Sequence, residues 1–169
     1  MDSKHGRPCS IAAALSFLGD RWALLAVREV IFGNHTFSEI VRNTGAPRDR
    51  VAARLKSLVA AGVLEQRQYQ EHPPRYDYHL TQAGRELVPV LSALRAWGDK
   101  WVVEDPPLSV THHGHPVRPR VICETCGGPV HEDEVEKTSN AADWDLAGPV
   151  SVSKNSKKPP AAPKGSAGR

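Results

Sequence analysis

The chain of 169 residues has no apolar run near the ~20 residues that a bilayer-spanning helix needs. Its first eight residues hold no hydrophobic signal-peptide core. A cytoplasmic protein without a membrane partner is therefore expected. Cysteine is scarce: Cys9, Cys123 and Cys126 are the three present. An odd number of thiols in a reducing compartment argues against a disulfide framework. The net charge of +3 is too small to imply a nucleic-acid partner by itself. No internal repeat is visible.

What is present is a hydrophobic content of 40% and a length that suits one folded domain with appendages. Helix signals follow one another closely. Cys9-Ser10 opens a first helix with Ile11, Leu15 and Leu18 at helical spacing, and Gly19 closes it. Asp20 is placed to cap a second helix, with Trp22, Leu25, Val30 and Ile31 on its buried turns. Thr36-Phe37-Ser38-Glu39 has the capping-box pattern and starts a short third helix ending at Gly45. Pro47 is expected in the first turn of a fourth helix over 47–61, whose apolar face is Val51, Leu55, Leu58 and Val59. Strands over 63–69 and 75–80 flank the loop at Pro73-Pro74 and make a hairpin. A long helix from Thr81 to Trp101 is then expected, with Pro89 inside it as a source of a kink.

That order is mainly α with a small β-hairpin wing, a winged helix-turn-helix. Three parts are expected: residues 1–104 for DNA binding and dimerisation, a Cys/His-bearing extension over 105–136, and a disordered basic tail over 137–169. Between residues 47 and 58 the charges are Arg48, Arg50, Arg54 and Lys56 against Asp49 alone. Arg50, Arg54 and Ser57 fall away from the apolar face, and Arg48 and Arg50 sit in the first turns. These four are the candidates for base or groove contact, since an arginine can donate two hydrogen bonds to guanine. Lys56, Arg67, His72 and Arg75 are candidates for backbone and wing contact, and Thr36 joins the DNA-facing set. The alternative for any one arginine is a solvated helix face.

Residues 9–101 resemble the HxlR family of bacterial, MarR-like winged-helix transcriptional regulators. The resemblance is carried by Cys9, Leu18-Gly19-Asp20-Arg21-Trp22, Phe37-Ser38-Glu39-Ile40, Arg54-Leu55, Leu58, Ala61-Gly62-Val63 and Leu64-Glu65. It continues through Pro73-Pro74-Arg75-Tyr76-Asp77-Tyr78 and Leu80-Thr81-Gln82-Ala83-Gly84. The position before Phe37, often arginine in the family, is Thr36 here. The resemblance implies a homodimer on near-palindromic double-stranded operator DNA. It also implies, as in several relatives, an electrophile- or oxidant-sensing cysteine at Cys9. The residues add their own support to both. Leu87, Val90, Leu91, Leu94, Trp97 and Trp101 form a stripe larger than one small domain needs, so a dimer surface competes with simple packing on the first two helices. Cys9 stands at a helix start two residues after Arg7, where a thiolate is favoured; the other reading is a small buried cysteine.

Cys123-Glu124-Thr125-Cys126-Gly127 has the C-x-x-C-G form of a zinc knuckle. Such a structural Zn2+ site would take its second ligand pair from His112, His113, His115 or His131, with His113 and His115 foremost. The competing reading is a metal-free hairpin held by Val117, Val121 and Ile122. No cofactor is expected in the core domain, and no enzyme is expected. The expected function is a sequence-specific transcriptional repressor. Two other functions stay open: a winged protein-interaction module without specific DNA binding, and a small zinc or redox protein using Cys123 and Cys126.

Overall fold

Local chemistry sets the ends of most elements in the computed structural model, which describes residues 7–150. The helices begin with α1 (Ser10–Leu18), α2 (Arg21–Ile31), α3 (Phe37–Thr44) and α4 (Arg48–Ala60). The hairpin β1 (Leu64–Gln70) and β2 (Arg75–Leu80) follows, then α5 (Gln82–Arg85) and α6 (Val88–Trp101). Beyond lie a two-residue hairpin, β3 (Thr111–His112) and β4 (His115–Pro116), and a 3-10 turn at Glu132–Glu134. Asp20 caps α2 by accepting from the Trp22 N–H at 2.8 Å. Thr36 and Glu39 form the full capping box of α3. Gly45 ends that helix at φ +66, a conformation that strains any residue with a Cβ. Pro47 stands one position earlier than expected: it is the N-cap of α4, outside the first turn.

The expected long helix is two. Thr81 caps only α5, accepting from the Gly84 N–H at 3.2 Å while its hydroxyl donates to the Gly62 carbonyl at 2.6 Å. A turn at Glu86 and Leu87 intervenes, and α6 starts with Pro89 in its first turn. There the missing N–H has no intrahelical partner to lose, so the proline begins a helix rather than kinking one. Gly84 is needed for contact: a Cβ on it would lie 2.3 Å from the Val63 carbonyl oxygen.

The core lies where α2, α3 and α4 meet the base of the hairpin. Ala23, Ala26, Val27, Val30, Ile40, Ala46, Val51, Leu55, Leu58 and Leu64 are buried. Of the apolar residues expected on the buried turns of α2, only Val30 is fully enclosed; Trp22 and Ile31 pack half-buried at the margin. Alanines take the central positions because α3 and α4 both cross close to α2. On α1, Leu18 packs on the core, whereas Ile11 and Leu15 are exposed.

Among the described residues, one that is buried is charged. Glu29 is 3% exposed. Its Oε1 accepts from Arg28 Nε and Nη2 at 2.9 and 2.6 Å, and its Oε2 from Asn34 and Asn43 at 2.8 and 3.0 Å. The carboxylate thus ties α2 to the following loop and to α3, which braces α4. Glu29→Ala is expected to destabilise the fold by about 2–3 kcal/mol, because buried donors lose their acceptor. A urea midpoint unchanged from wild type would contradict this role.

The chain divides into two compact units, Cys9–Val135 and a second formed by Met1–Pro8 with Glu136–Arg169. Within the second, where a disordered tail is expected from residue 137, turns and bends occur over residues 142–148. Ser139 Oγ donates to the Trp144 carbonyl at 2.6 Å, and Asp145 Oδ1 accepts from the Ala147 and Gly148 N–H groups. The remaining basic tail, 151–169, lies outside the described residues.

Candidate nucleic-acid interface

Helix α4 rests on Val51, Leu55 and Leu58, so its opposite side faces outward. Arg48, Arg50 and Lys56 are exposed on it; Arg54 and Ser57 are half-buried. The three arginines differ in freedom. Arg48 stacks over the Phe37 ring at 4.9 Å, which ties the start of α4 to α3. Arg54 Nε is enclosed without a hydrogen-bond partner. Among the described residues Arg50 approaches only Asp49, at 4.0 Å, with 64% of its side chain exposed. An exposed pair of that length restrains little. Pro47 gives α4 no side-chain cap, so its leading N–H groups are left for another acceptor.

The brace is set by its cap. Glu39 Oε2 accepts from the Thr36 N–H at 2.9 Å and from the Thr36 hydroxyl at 2.8 Å, and the hydroxyl accepts from the Glu39 N–H at 3.3 Å. Thr36, expected to face DNA, therefore has its side chain engaged in holding α3. The Thr36 backbone N–H, followed by its hydroxyl, keeps the Glu39 carboxyl below its ordinary value. A depressed folded-state pKa stabilises above the unfolded value of ~4.3 and is lost as pH falls through the folded value. Glu39→Gln should flatten the loss of urea resistance as pH falls below about 4.3. An unaltered slope would show that the acid sensitivity arises elsewhere.

The wing is anchored to the same point. The Tyr78 N–H donates to the His35 carbonyl at 2.8 Å, and Thr36 bridges Asp77. The His35 and His79 rings stack at 4.5 Å, and His79 Nε2 lies 3.1 Å from Asp77 Oδ1. Sequence reasoning gave no role to this group, because His35 lies in the loop before α3 while Asp77 and His79 lie on β2, and no spacing links the two segments. Towards the tip, His72 and Arg75 are exposed. Arg67 is exposed but already donates to Glu65 Oε1 at 3.0 and 2.6 Å.

The stripe on the last helix divides. Leu87 and Leu91 pack against the core. Val90, Leu94, Trp97 and Trp101 are 52, 51, 58 and 65% exposed. No residue of α1 is buried, and Ile11, Leu15 and Phe17 are open as well. Cys9, the N-cap of α1, is half-buried and free. The neighbouring Arg7 guanidinium is engaged elsewhere, donating to the Leu146 carbonyl at 2.8 Å and lying 6.0 Å from the Trp144 ring.

In the extension, Cys123 and Cys126 share one tight turn, but no group of three or more His, Cys, Asp or Glu side chains gathers among the described residues. Of the histidines proposed for the second pair, His112, His113 and His115 belong to a hairpin of their own: His112 pairs with His115, and the His112 and His113 rings touch edge to face at 4.0 Å. Among the described residues this arrangement assembles no four-ligand zinc site. Val121 and Ile122, expected to hold the hairpin together, are 70 and 61% exposed. A cleft of about 750 Å3 lies between α6 and residues 106–119. Its lining has no histidine or cysteine, and its acid, Asp99, is paired with Arg95 at 2.5 Å. That chemistry offers no nucleophile with a base.

A brace helix, an outward basic helix and a hairpin in this order define a winged helix-turn-helix. The chain belongs to the HxlR-like helix-turn-helix family, whose model matches residues 17–106. It is 40% identical over 122 residues to the HTH-type transcriptional regulator Rv3095 of Mycobacterium tuberculosis, covering 70% of this chain and 77% of that one. The fold is similar to that of the transcription factor PA1607, with a TM-score of 0.67, 30% identity, and coverage of 80% of this chain and 96% of that one. It is also similar to the transcription factor PA1374 of Pseudomonas aeruginosa, with a TM-score of 0.57, 29% identity, and coverage of 79% and 94%. The protein is a helix-turn-helix transcriptional regulator rather than an enzyme. No single helix among the described residues is long and apolar enough to cross a membrane.

Proposed function

We propose that the protein represses transcription in the cytoplasm by binding near-palindromic operator DNA as a homodimer. The observation that carries this reading is the outward side of α4, where Arg48, Arg50 and Lys56 are exposed directly before the wing. Arg50 reads base edges, with Arg48, Arg54 and Ser57 beside it in the groove. Lys56, Arg67, His72 and Arg75 meet the phosphate backbone. The open apolar residues of α1 and α6 are the surface for the second copy, which sets two reading helices one DNA turn, ~34–36 Å, or a multiple apart.

Cys9 is the proposed point of control by an oxidant or electrophile. It heads α1, whose apolar side belongs to the proposed dimer surface, so a group added to its sulfur would displace that helix. A mobility-shift titration on DNA upstream of the protein's own gene tests the reading. Binding should be confined to one fragment and weaken steeply with salt, because lysine and arginine displace counterions. Diamide should release wild type but not Cys9→Ser. Binding of equal strength to every fragment would overturn sequence-specific regulation, and release of both proteins alike would remove Cys9 from it.

A further inference from the structure

We propose that Cys123 and Cys126 are a dithiol site that low-molecular-weight disulfides oxidise reversibly to an intramolecular disulfide, separate from Cys9 and independent of the DNA-binding reading. The two cysteines occupy the turn of a tight hairpin. Its limbs are joined by Val130 N–H to the Val121 carbonyl at 3.0 Å and by Cys123 N–H to the Gly128 carbonyl at 2.9 Å. Gly127 N–H closes the turn onto the Cys123 carbonyl at 2.8 Å, with Gly127 at φ +71. Inside the turn the Cys123 sulfur accepts from the Cys126 and Thr125 backbone N–H groups and is hydrogen-bonded to the Cys126 side chain.

Those N–H groups hold the Cys123 thiol below its ordinary range, which favours the reactive thiolate. Cys126 is exposed and Cys123 half-buried. Among the described residues no third ligand gathers with the pair. A nucleophilic sulfur, a resolving sulfur on the same turn and access from solvent are the requirements of thiol–disulfide exchange.

The Cys123 thiolate attacks one sulfur of the disulfide RSSR; the S–S bond breaks and RS− leaves. Cys126 loses its proton to solvent and attacks the Cys123 sulfur of the mixed disulfide. A second RS− leaves as the Cys123–Cys126 bond forms. The dithiol loses two electrons and two protons, and RSSR becomes two thiols.

Trypsin releases residues 121–137 as one peptide, with cleavage after Arg120 and Lys137, so both thiols are read together. Full-length protein is equilibrated in reduced and oxidised glutathione, quenched, alkylated with N-ethylmaleimide and digested. The expected result is paired loss of both alkylatable thiols as the ratio becomes oxidising, full recovery with dithiothreitol, and the same outcome in Cys9→Ser. Cys126→Ser should accumulate a glutathione mixed disulfide on Cys123. The proposal is overturned if both thiols stay alkylatable, or if Cys126→Ser traps nothing. It is equally overturned if the reduced protein resists alkylation until a chelator is added, which would make the pair a metal site.

Discussion

Arg50→Ala is expected to lower affinity for the operator by about 5- to 150-fold and to erase most of the preference for the base pairs it reads, as ~1–3 kcal/mol of discrimination corresponds to that range. The structure singles out this arginine. Arg48 is held over Phe37 and Arg54 is half enclosed, whereas Arg50 has only a long contact with Asp49. Lys56→Ala should behave differently. Lys56 is exposed beyond the first turns and enters no ion pair among the described residues. Its loss should weaken operator and random DNA alike and reduce the slope of log affinity against log salt by about 1. Competition titrations at several salt concentrations separate the two. Equal losses for both variants on both DNAs would refute the division between base reading and backbone contact.

The second large effect is expected on α6. Replacing Leu94 and Trp97 together by aspartate should convert a dimer into monomers at micromolar concentration, as seen by sedimentation. Their side chains are half-exposed in the single chain, so fold stability should change little. In an interface, the two carboxylates would be stripped of water without partners, at a cost of several kcal/mol. Operator affinity should fall with the dimer, because a monomer engages one half-site and loses the effective concentration that tethers the second. Leu91→Ala is the contrasting variant. Leu91 packs on the core, so its truncation should lower the melting temperature while the dimer persists. A Leu94→Asp, Trp97→Asp protein that sediments as wild type would place the interface elsewhere.

Caps, turns and apolar periodicity were legible in the residues because each arises from groups within about four positions of one another. Asp20, the Thr36–Glu39 box, Gly45 and the hairpin ends all occur where local chemistry puts them. The break at Glu86 and Leu87 follows from Pro89, whose position was noticed, but whether it kinks or starts a helix depends on how α5 seats Gly84 against Val63. Glu29 left one trace in sequence: a lone acid among the small apolar residues of α2. Its bonds to Asn34 and Asn43 join parts of the chain that no periodicity connects.

By itself the sequence determined the helix and hairpin order, the face of α4 that carries arginines and the family the chain belongs to, since these reside in short-range spacing and motif. Only the tertiary structure decided which arginine is free, which half of the α6 stripe is covered, and that no third ligand gathers with Cys123 and Cys126 among the described residues. Those outcomes depend on which surfaces meet across distant segments. Burial and pairing are properties of that meeting, and no residue carries them alone.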